Sequence, residues 1–362
     1  RRAARERVAV TCDVAEASAR GVDAFLSSAL LWFTRAREQR TRPPYLTRLW
    51  LVAGQGSVGA LAERHALLRE DLRRVVALYR LDDEWQELAQ VRAPALEEFL
   101  RETPRRFRRP TPDAPSETAA LIAAHAPDAI DIVRSRHAET LRFRGLVFAR
   151  VRRVMDGERV WFGVEGTRRR LLGEDTLEEW AKLLRDLKEH RRADATDRRH
   201  ALYRASPEAW LESILRRDIT RLDPGLRLAP LFAQFRPTHT AGAHTRPIDL
   251  LALRRDGRLV VIELKVAEDR EHVLQAADYW RRVEAHRRAG HITRARLFGD
   301  AHVSDDPPLV YLVAPALRFH RAFQELAHMI APSVEKYRLD LNEDWRAGVR
   351  VTRRVTLTTN WQ

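Results

Sequence analysis

The hydrophobic pattern changes character three times along the chain. Up to about residue 102, short apolar runs alternate with amphipathic stretches. Arg7–Thr11 predicts a short strand, followed by a helical stretch to about Arg37. Arg48–Ala53 predicts a strand, Val58–Arg69 a helix and Arg74–Leu81 another strand, which is α/β order. Thr103–Ser116 breaks the pattern with four prolines and five charged residues, and reads as a linker or a basic arm. Residues 117–200 then hold an Ala-rich helix near Glu117–Ala126 and a hairpin. In that hairpin Leu141–Val154 is one arm, Asp156-Gly157 the turn and Val160–Val164 the return. Leu177–His190 follows as an amphipathic helix, with Leu177, Trp180, Leu184 and Leu187 on one face.

Residues 201–362 have the clearest pattern. Pro207–Arg217 predicts a helix with Ser206 as N-cap and proline in its first turn. Leu226–Phe235, Ile248–Leu253 and Leu259–Val266 predict strands, Glu271–Arg287 a helix, and Leu309–Val313 a strand. Leu317–Ile330 and Val334–Leu341 add a helix and a strand. The expected class is therefore α/β, with four parts: an N-terminal α/β domain (1–102), a linker (103–116), a hairpin-and-helix segment (117–200) and a C-terminal domain (201–362).

Composition narrows the partners. The 362 residues allow two or three domains, and no apolar run approaches the ~18 residues of a membrane span. One cysteine, Cys12, excludes internal disulfides and Cys-rich zinc sites, and suits the reducing cytoplasm. The formal net charge of +14 favours polyanions through phosphate contacts. All but four of the 65 basic residues are arginine, the exceptions being Lys182, Lys188, Lys265 and Lys336.

That bias makes one lysine informative. Val260–Lys265 is apolar, as a central strand should be, until Glu263 and Lys265 appear two residues apart and so on one face. Buried charge is tolerated only when paired or bound to a metal. Asp249 lies on the preceding strand. It shares the face of Glu263 only if Arg255-Asp256-Gly257 is a three-residue loop with Gly257 left-handed. Two converging carboxylates make a hard oxygen site for Mg²⁺ or Mn²⁺. Lysine, whose pKa responds to burial as arginine's does not, can position or deprotonate a water there.

These residues carry a resemblance. Ile248-Asp249, 13 intervening residues and Glu263-Leu264-Lys265 resemble the PD-(D/E)xK nuclease superfamily. Ile248 stands where that family carries proline, with Pro247 one place earlier. Gln275-Ala-Ala-Asp-Tyr279 looks like the Gln-xxx-Tyr motif of RecB-like nucleases, and the local flavour is close to NucS-type endonucleases. The resemblance covers roughly residues 201–341. It implies a restriction-endonuclease-like αβββαβ core and Mg²⁺-dependent hydrolysis of DNA, with Asp249, Glu263, Lys265 and Gln275 catalytic. Asp249 and Glu263 would bind metal, completed by Glu212 on the upstream helix; Glu208, one turn earlier, is an alternative. Tyr279 and Arg282 fall on one helix face with Gln275 and would hold the phosphodiester chain, or form a solvated face. RNA as substrate, a homodimer, and a role in repair or phage defence stay open.

Two other readings compete. The same fold without turnover would be a nucleic-acid-binding module. Gly54-Gln-Gly56-Ser-Val-Gly59 matches the dinucleotide fingerprint between a predicted strand and helix, with Asp82 at the end of the next strand. A nucleotide bound there would make the chain a sensor controlling the nuclease. His239 and His244, in the polar stretch Arg236–Arg246, read as surface histidines at the mouth of the site rather than zinc ligands. Arg105, Arg106, Arg108 and Arg109 around Phe107, then Arg168–Arg170 and Arg191–Arg192, are basic clusters able to grip phosphates or to lie on solvated faces.

Overall fold

A computed structural model describes residues 7–13, 19–40, 42–82, 87–102, 104, 114–135, 138–155, 157–164, 166–229, 232–235 and 248–357. Most of the 103–116 segment, Asp156, and the stretch with His239, His244 and Pro247 lie outside these residues. The chain is mixed α/β with three sheets and forms two compact units. Unit 1 combines Arg1–Phe107 with Gly225–Asp340 and Thr352–Gln362; unit 2 is Arg108–Pro224 with Leu341–Val351.

In unit 1 the chain opens with β1 (Arg7–Asp13), α1 (Ala19–Glu38), β2 (Leu46–Gly54), α2 (Gln55–His65), α3 (Glu70–Val75), β3 (Val76–Leu81), β4 (Leu88–Val91) and α4 (Leu96–Arg101). Strands β1, β2 and β3 are parallel neighbours, and β4 adds antiparallel to β3. The glycine run does stand at a strand-to-helix turn, the junction of β2 and α2. Its packing is unlike the fingerprint's, whose third glycine serves close helix–strand contact. A Cβ at Gly54 or Gly59 would meet nothing within 4 Å.

Unit 2 comprises α5 (Glu117–Ala124), β5 (Ile130–Ser135), β6 (Ala138–Phe143), β7 (Leu146–Val154), β8 (Gly157–Phe162), β9 (Arg170–Leu171), α6 (Leu177–His190), α7 (Ala201–Arg204) and α8 (Pro207–Arg217). Its five strands form an antiparallel meander. The expected single arm Leu141–Val154 is in fact two strands, because Arg144 (φ 44°) and Gly145 (φ 82°) turn the chain between them. Two left-handed residues make the tight turn that strand twist prefers. Arginine in the first of them hides the signal that Asn-Gly would give. Gly145 is required, since a Cβ there would lie 1.9 Å from the Ala209 carbonyl oxygen. Fully buried Arg191 holds this turn. It donates to the carbonyls of Phe143, Arg144, Leu202 and Ala205 and lies 4.7 Å over the Trp210 ring. Arg191 is therefore a structural clamp and not a phosphate grip. Ser206 precedes α8 in a left-handed conformation and makes no side-chain cap, although Pro207 opens the helix as expected.

The chain then completes unit 1 with β10 (Phe232–Phe235), β11 (Ile248–Leu253), β12 (Leu259–Leu264), α9 (His272–Arg288), α10 (His291–Arg294), β13 (Leu309–Pro315), α11 (Phe323–Met329), β14 (Lys336–Leu341) and β15 (Val351–Thr356). These six strands lie in sequence order, with β10–β11 and β11–β12 antiparallel and β12–β13 parallel across α9. The helix expected over Leu317–Ile330 starts only at Phe323, and Leu317 is exposed.

One apolar cluster runs through both halves of unit 1. It joins Leu26, Leu30, Leu49, Leu51 and Leu61 to Val273, Ala277 and Trp280 of α9 and Leu312 of β13. The opposite flank of α9 packs Tyr279 and Val283 against Ile248, Leu251 and Val261. Hence α9 is buried on all sides from His272 to His286, although half of those residues are polar. Its charges are satisfied by neighbours. Asp278 pairs with Arg64 of α2 at 3.0 Å, with Arg281 at 2.7 Å and with Arg282. Arg64 also meets Asp23 of α1 at 3.0 Å, and Arg281 meets Glu63 at 2.7 Å. The charged residues of α2 are thus spent on α9. Burial alone would push the Asp278 carboxyl up, but Arg282, Arg64 and Arg281 together hold it well below the usual carboxylate range. Asp278→Asn would leave three buried guanidiniums one charge short, at a cost of about 3–5 kcal/mol. A marked fall in thermal midpoint is expected, and an unchanged midpoint by calorimetry would refute the role given to this cluster.

Candidate active site

The site is built on the β11–β12 hairpin. Arg254 N–H donates to the Arg258 carbonyl at 2.9 Å, and Gly257 N–H to the Arg254 carbonyl at 3.1 Å. The loop is therefore Arg255-Asp256-Gly257. Gly257 has φ 87°, and a Cβ there would press on His302 at 3.0 Å, so both conformation and space demand glycine. The ladder pairs Leu250 with Ile262 and Leu253 with Leu259. Carried one residue further, that register sets Asp249 opposite Glu263, as the three-residue loop requires.

Around this pair the polar contacts are specific. Leu264 N–H donates to Asp249 Oδ2 at 2.9 Å, which fixes the carboxylate against the end of β12. Lys265 Nζ donates to Glu263 Oε1 at 3.0 Å and lies 3.5 Å from Asp269 Oδ2. Glu263 is almost wholly buried, Lys265 is 12% exposed at its side chain, and Asp249 is half-buried. The charged groups therefore lie together, largely buried, at the end of an otherwise apolar strand pair.

Helix α9 brings up the next groups. Gln275 is buried; its Nε2 donates to Glu271 Oε2 at 3.1 Å, and its Oε1 accepts no hydrogen bond. Burial first, then the negative charges of Glu263, Asp249 and Asp278, push the Tyr279 phenol far up, so it stays protonated beside both carboxylates. Arg282, expected to face the same way, is buried with Asp278 and stacks 5.8 Å from the Tyr279 ring. Glu212 belongs to unit 2, where α8 places it 3.4 Å from Arg142 of β6. Glu208 is exposed.

Sequence reasoning missed two groups. His272, the first residue of α9, is buried between Phe319 and Phe323 and has Nε2 3.2 Å from the Glu263 carbonyl oxygen. Burial and the nearby Lys265 charge lower it to about 3, so the ring is neutral and donates to that carbonyl. Asp269 touches Lys265 and also accepts from Glu271 N–H at 2.7 Å, fixing the entry to α9. The run Asp269-x-Glu271-His272, placed directly before the helix, was the available signal.

No family model matches the chain, and no curated protein does. Among solved structures, the EndoMS–dsDNA2 complex matches at 16% identity and a TM-score of 0.22. The match covers 58% of this chain and 64% of that one. At that score the likeness carries no argument about this chain.

His272 gives the site a pH signature. Its folded value of about 3 lies below the ordinary 6.5, so the unfolded chain binds the proton more readily. The stability it permits is fully present above about pH 6.5 and is lost as pH falls toward 3. His65, buried and lowered to about 4, adds to the loss with the same sign. The thermal midpoint should therefore drop as pH falls from 7 to 4.5, and drop less steeply in His272→Gln. Parallel midpoint-versus-pH curves for the two proteins would contradict this assignment.

Proposed function

We propose that the chain is a divalent-metal-dependent nuclease of the PD-(D/E)xK type that hydrolyses phosphodiester bonds in DNA. The observation that supports it is a single register. The β11–β12 register, extended by one residue, sets Asp249 opposite Glu263, and Lys265 Nζ lies 3.0 Å from Glu263 at the end of an apolar strand pair. The strand order β10-β11-β12-β13, with α9 crossing between the last two, supports the βββαβ part of the αβββαβ core that the resemblance implies; the helix before it in sequence, α8, belongs to unit 2.

The donor set suits Mg²⁺ or Mn²⁺. Asp249 and Glu263 are hard oxygen ligands, and Mg²⁺ keeps several waters when one or two carboxylates hold it. Gln275 Oε1, buried and without a hydrogen bond, is a further oxygen on the adjoining helix. Among the described residues no three metal-ligating side chains form a closed group, so the reading rests on Asp249 and Glu263 and not on Glu212. When bound, the ion supplies Lewis-acid polarisation of a phosphoryl oxygen and a more acidic water.

The protein groups have separate tasks. Lys265, held between Glu263 and Asp269, positions the attacking water and offsets charge that develops on the phosphate. His272 fixes the Glu263 backbone, so that the carboxylate is aimed by β12 itself. Tyr279 presents a protonated hydroxyl to the carboxylate pair and can donate to a phosphate oxygen.

With Mg²⁺ or Mn²⁺, the wild-type chain is expected to cleave labelled single-stranded, duplex or branched DNA. Glu263→Gln and Lys265→Ala should each slow cleavage by about 10²-fold or more, compared at a temperature where circular dichroism shows both variants folded. Equal rates for wild type and Lys265→Ala on every substrate would sink the catalytic claim.

A further inference from the structure

The five-stranded sheet of unit 2 has two unlike faces. One closes on an apolar core that includes Leu141, Ala149, Val151, Val160 and Phe162. The register dictates what the other carries. Thr140 pairs with Arg150, Arg150 with Trp161, and Trp161 with Leu171, forming one row across β6 to β9. Directly paired residues share a face, and so do residues two apart on a strand. Arg152 and Arg159, which pair with each other, therefore join that row, and Arg142 extends it on β6.

Two arginines directly opposite repel, and a sheet built for stability alone avoids the arrangement. Here Arg152 faces Arg159, while burial and the charges of Arg169 and Arg152 press the Arg150 guanidinium below its ordinary range. Acids do reach the β5–β6 end of the sheet, where Arg142 meets Glu212 and Asp131 meets Arg217. Further along, among the described residues, Arg150, Arg152 and Arg169 make no salt bridge with an acid. The arginines are interleaved with apolar surface. Trp161 is half-buried with the Arg152 guanidinium 5.7 Å above its ring, and Leu171 beside it is 43% exposed.

We propose that this face of unit 2 is a docking platform for single-stranded DNA, with phosphates on Arg150 and Arg152 and a base against Trp161 and Leu171. Arg150 and Arg152, with no acid paired to them on this face, suit an anionic partner. Aromatic and aliphatic groups set between them suit splayed bases, which a duplex keeps stacked inside. The platform rests on the reading that the chain acts on DNA, but it asks nothing of Asp249, Glu263 or Lys265.

The test is fluorescence anisotropy with the full chain, a labelled 20-nucleotide single strand and EDTA, so that cleavage plays no part. Arg150→Glu/Arg152→Glu should bind about tenfold or more weakly, with a salt dependence flatter by about 1.4 log units per log unit, the share of two phosphates. Trp161→Ala should weaken single-strand binding several-fold and duplex binding less. Circular dichroism checks the fold, and Arg150→Gln/Arg152→Gln serves if the charge reversal does not fold. An unchanged affinity and salt slope in the folded arginine variants overturns the proposal. So does a wild-type chain that ignores the 20-mer and binds phosphatidylcholine–phosphatidylserine vesicles instead. Loss of cleavage with binding intact would count against the nuclease reading alone.

Discussion

Asp278 lies in the interior of unit 1 with the guanidiniums of Arg64, Arg281 and Arg282 around it, and each of these charges is tolerable only because the others are present. The cluster explains how a helix as polar as α9 can be buried on every side. It also fixes that helix along its axis and about it. Gln275 stands three residues before Asp278 and Tyr279 directly after it, so the groups that α9 offers to the hairpin inherit their positions from the ion cluster. Apolar packing alone would let the helix slide or rotate more easily, since it is non-directional.

The hairpin supplies the second half of the same pre-organisation. Its loop sets the register, the register sets Asp249 against Glu263, and backbone hydrogen bonds hold both strands. Little in the site is left to side-chain freedom. Lys265 is gripped from two sides, and the Glu263 backbone is gripped by a neutral histidine. Such constraint is what the proposed phosphodiester chemistry requires, because positioning and electrostatics supply most of the acceleration there.

Legibility in the sequence followed locality. Asp249, Glu263 and Lys265 could be joined by arithmetic on a short loop, because strand period and turn chemistry act over a few residues. The α9 periodicity showed two faces, but not that both would be covered. What covers one of them, α1 and α2, lies some 200 positions away in the chain. For the same reason the charges of α2 could not be assigned to Asp278, and the glycine run before α2 drew a nucleotide reading instead. In unit 2 the Arg144-Gly145 turn was missed because arginine is a poor marker of left-handed backbone, which Arg191 and the Ala209 backbone enforce from a distance. The arginine row was hidden for a second reason: Gly157, expected in the turn, is the first residue of β8 and pairs with Val154, which shifts every β7–β8 pair.

Unit 1 is written in pieces on either side of unit 2, and this bears on how the chain is made. Arg64 leaves the ribosome 214 residues before Asp278 does. At roughly 5–20 residues per second, the N-terminal piece waits about 10–40 s for the helix that neutralises it and covers its core. Throughout that interval its apolar surface is open and Arg64 has only Asp23 and Glu63 to pair with, whereas unit 2 gains nearly all of its own residues before α9 appears. The order of synthesis thus runs opposite to the order of need, and the half-built first unit is the species that a chaperone, or a nascent polyanion, would meet.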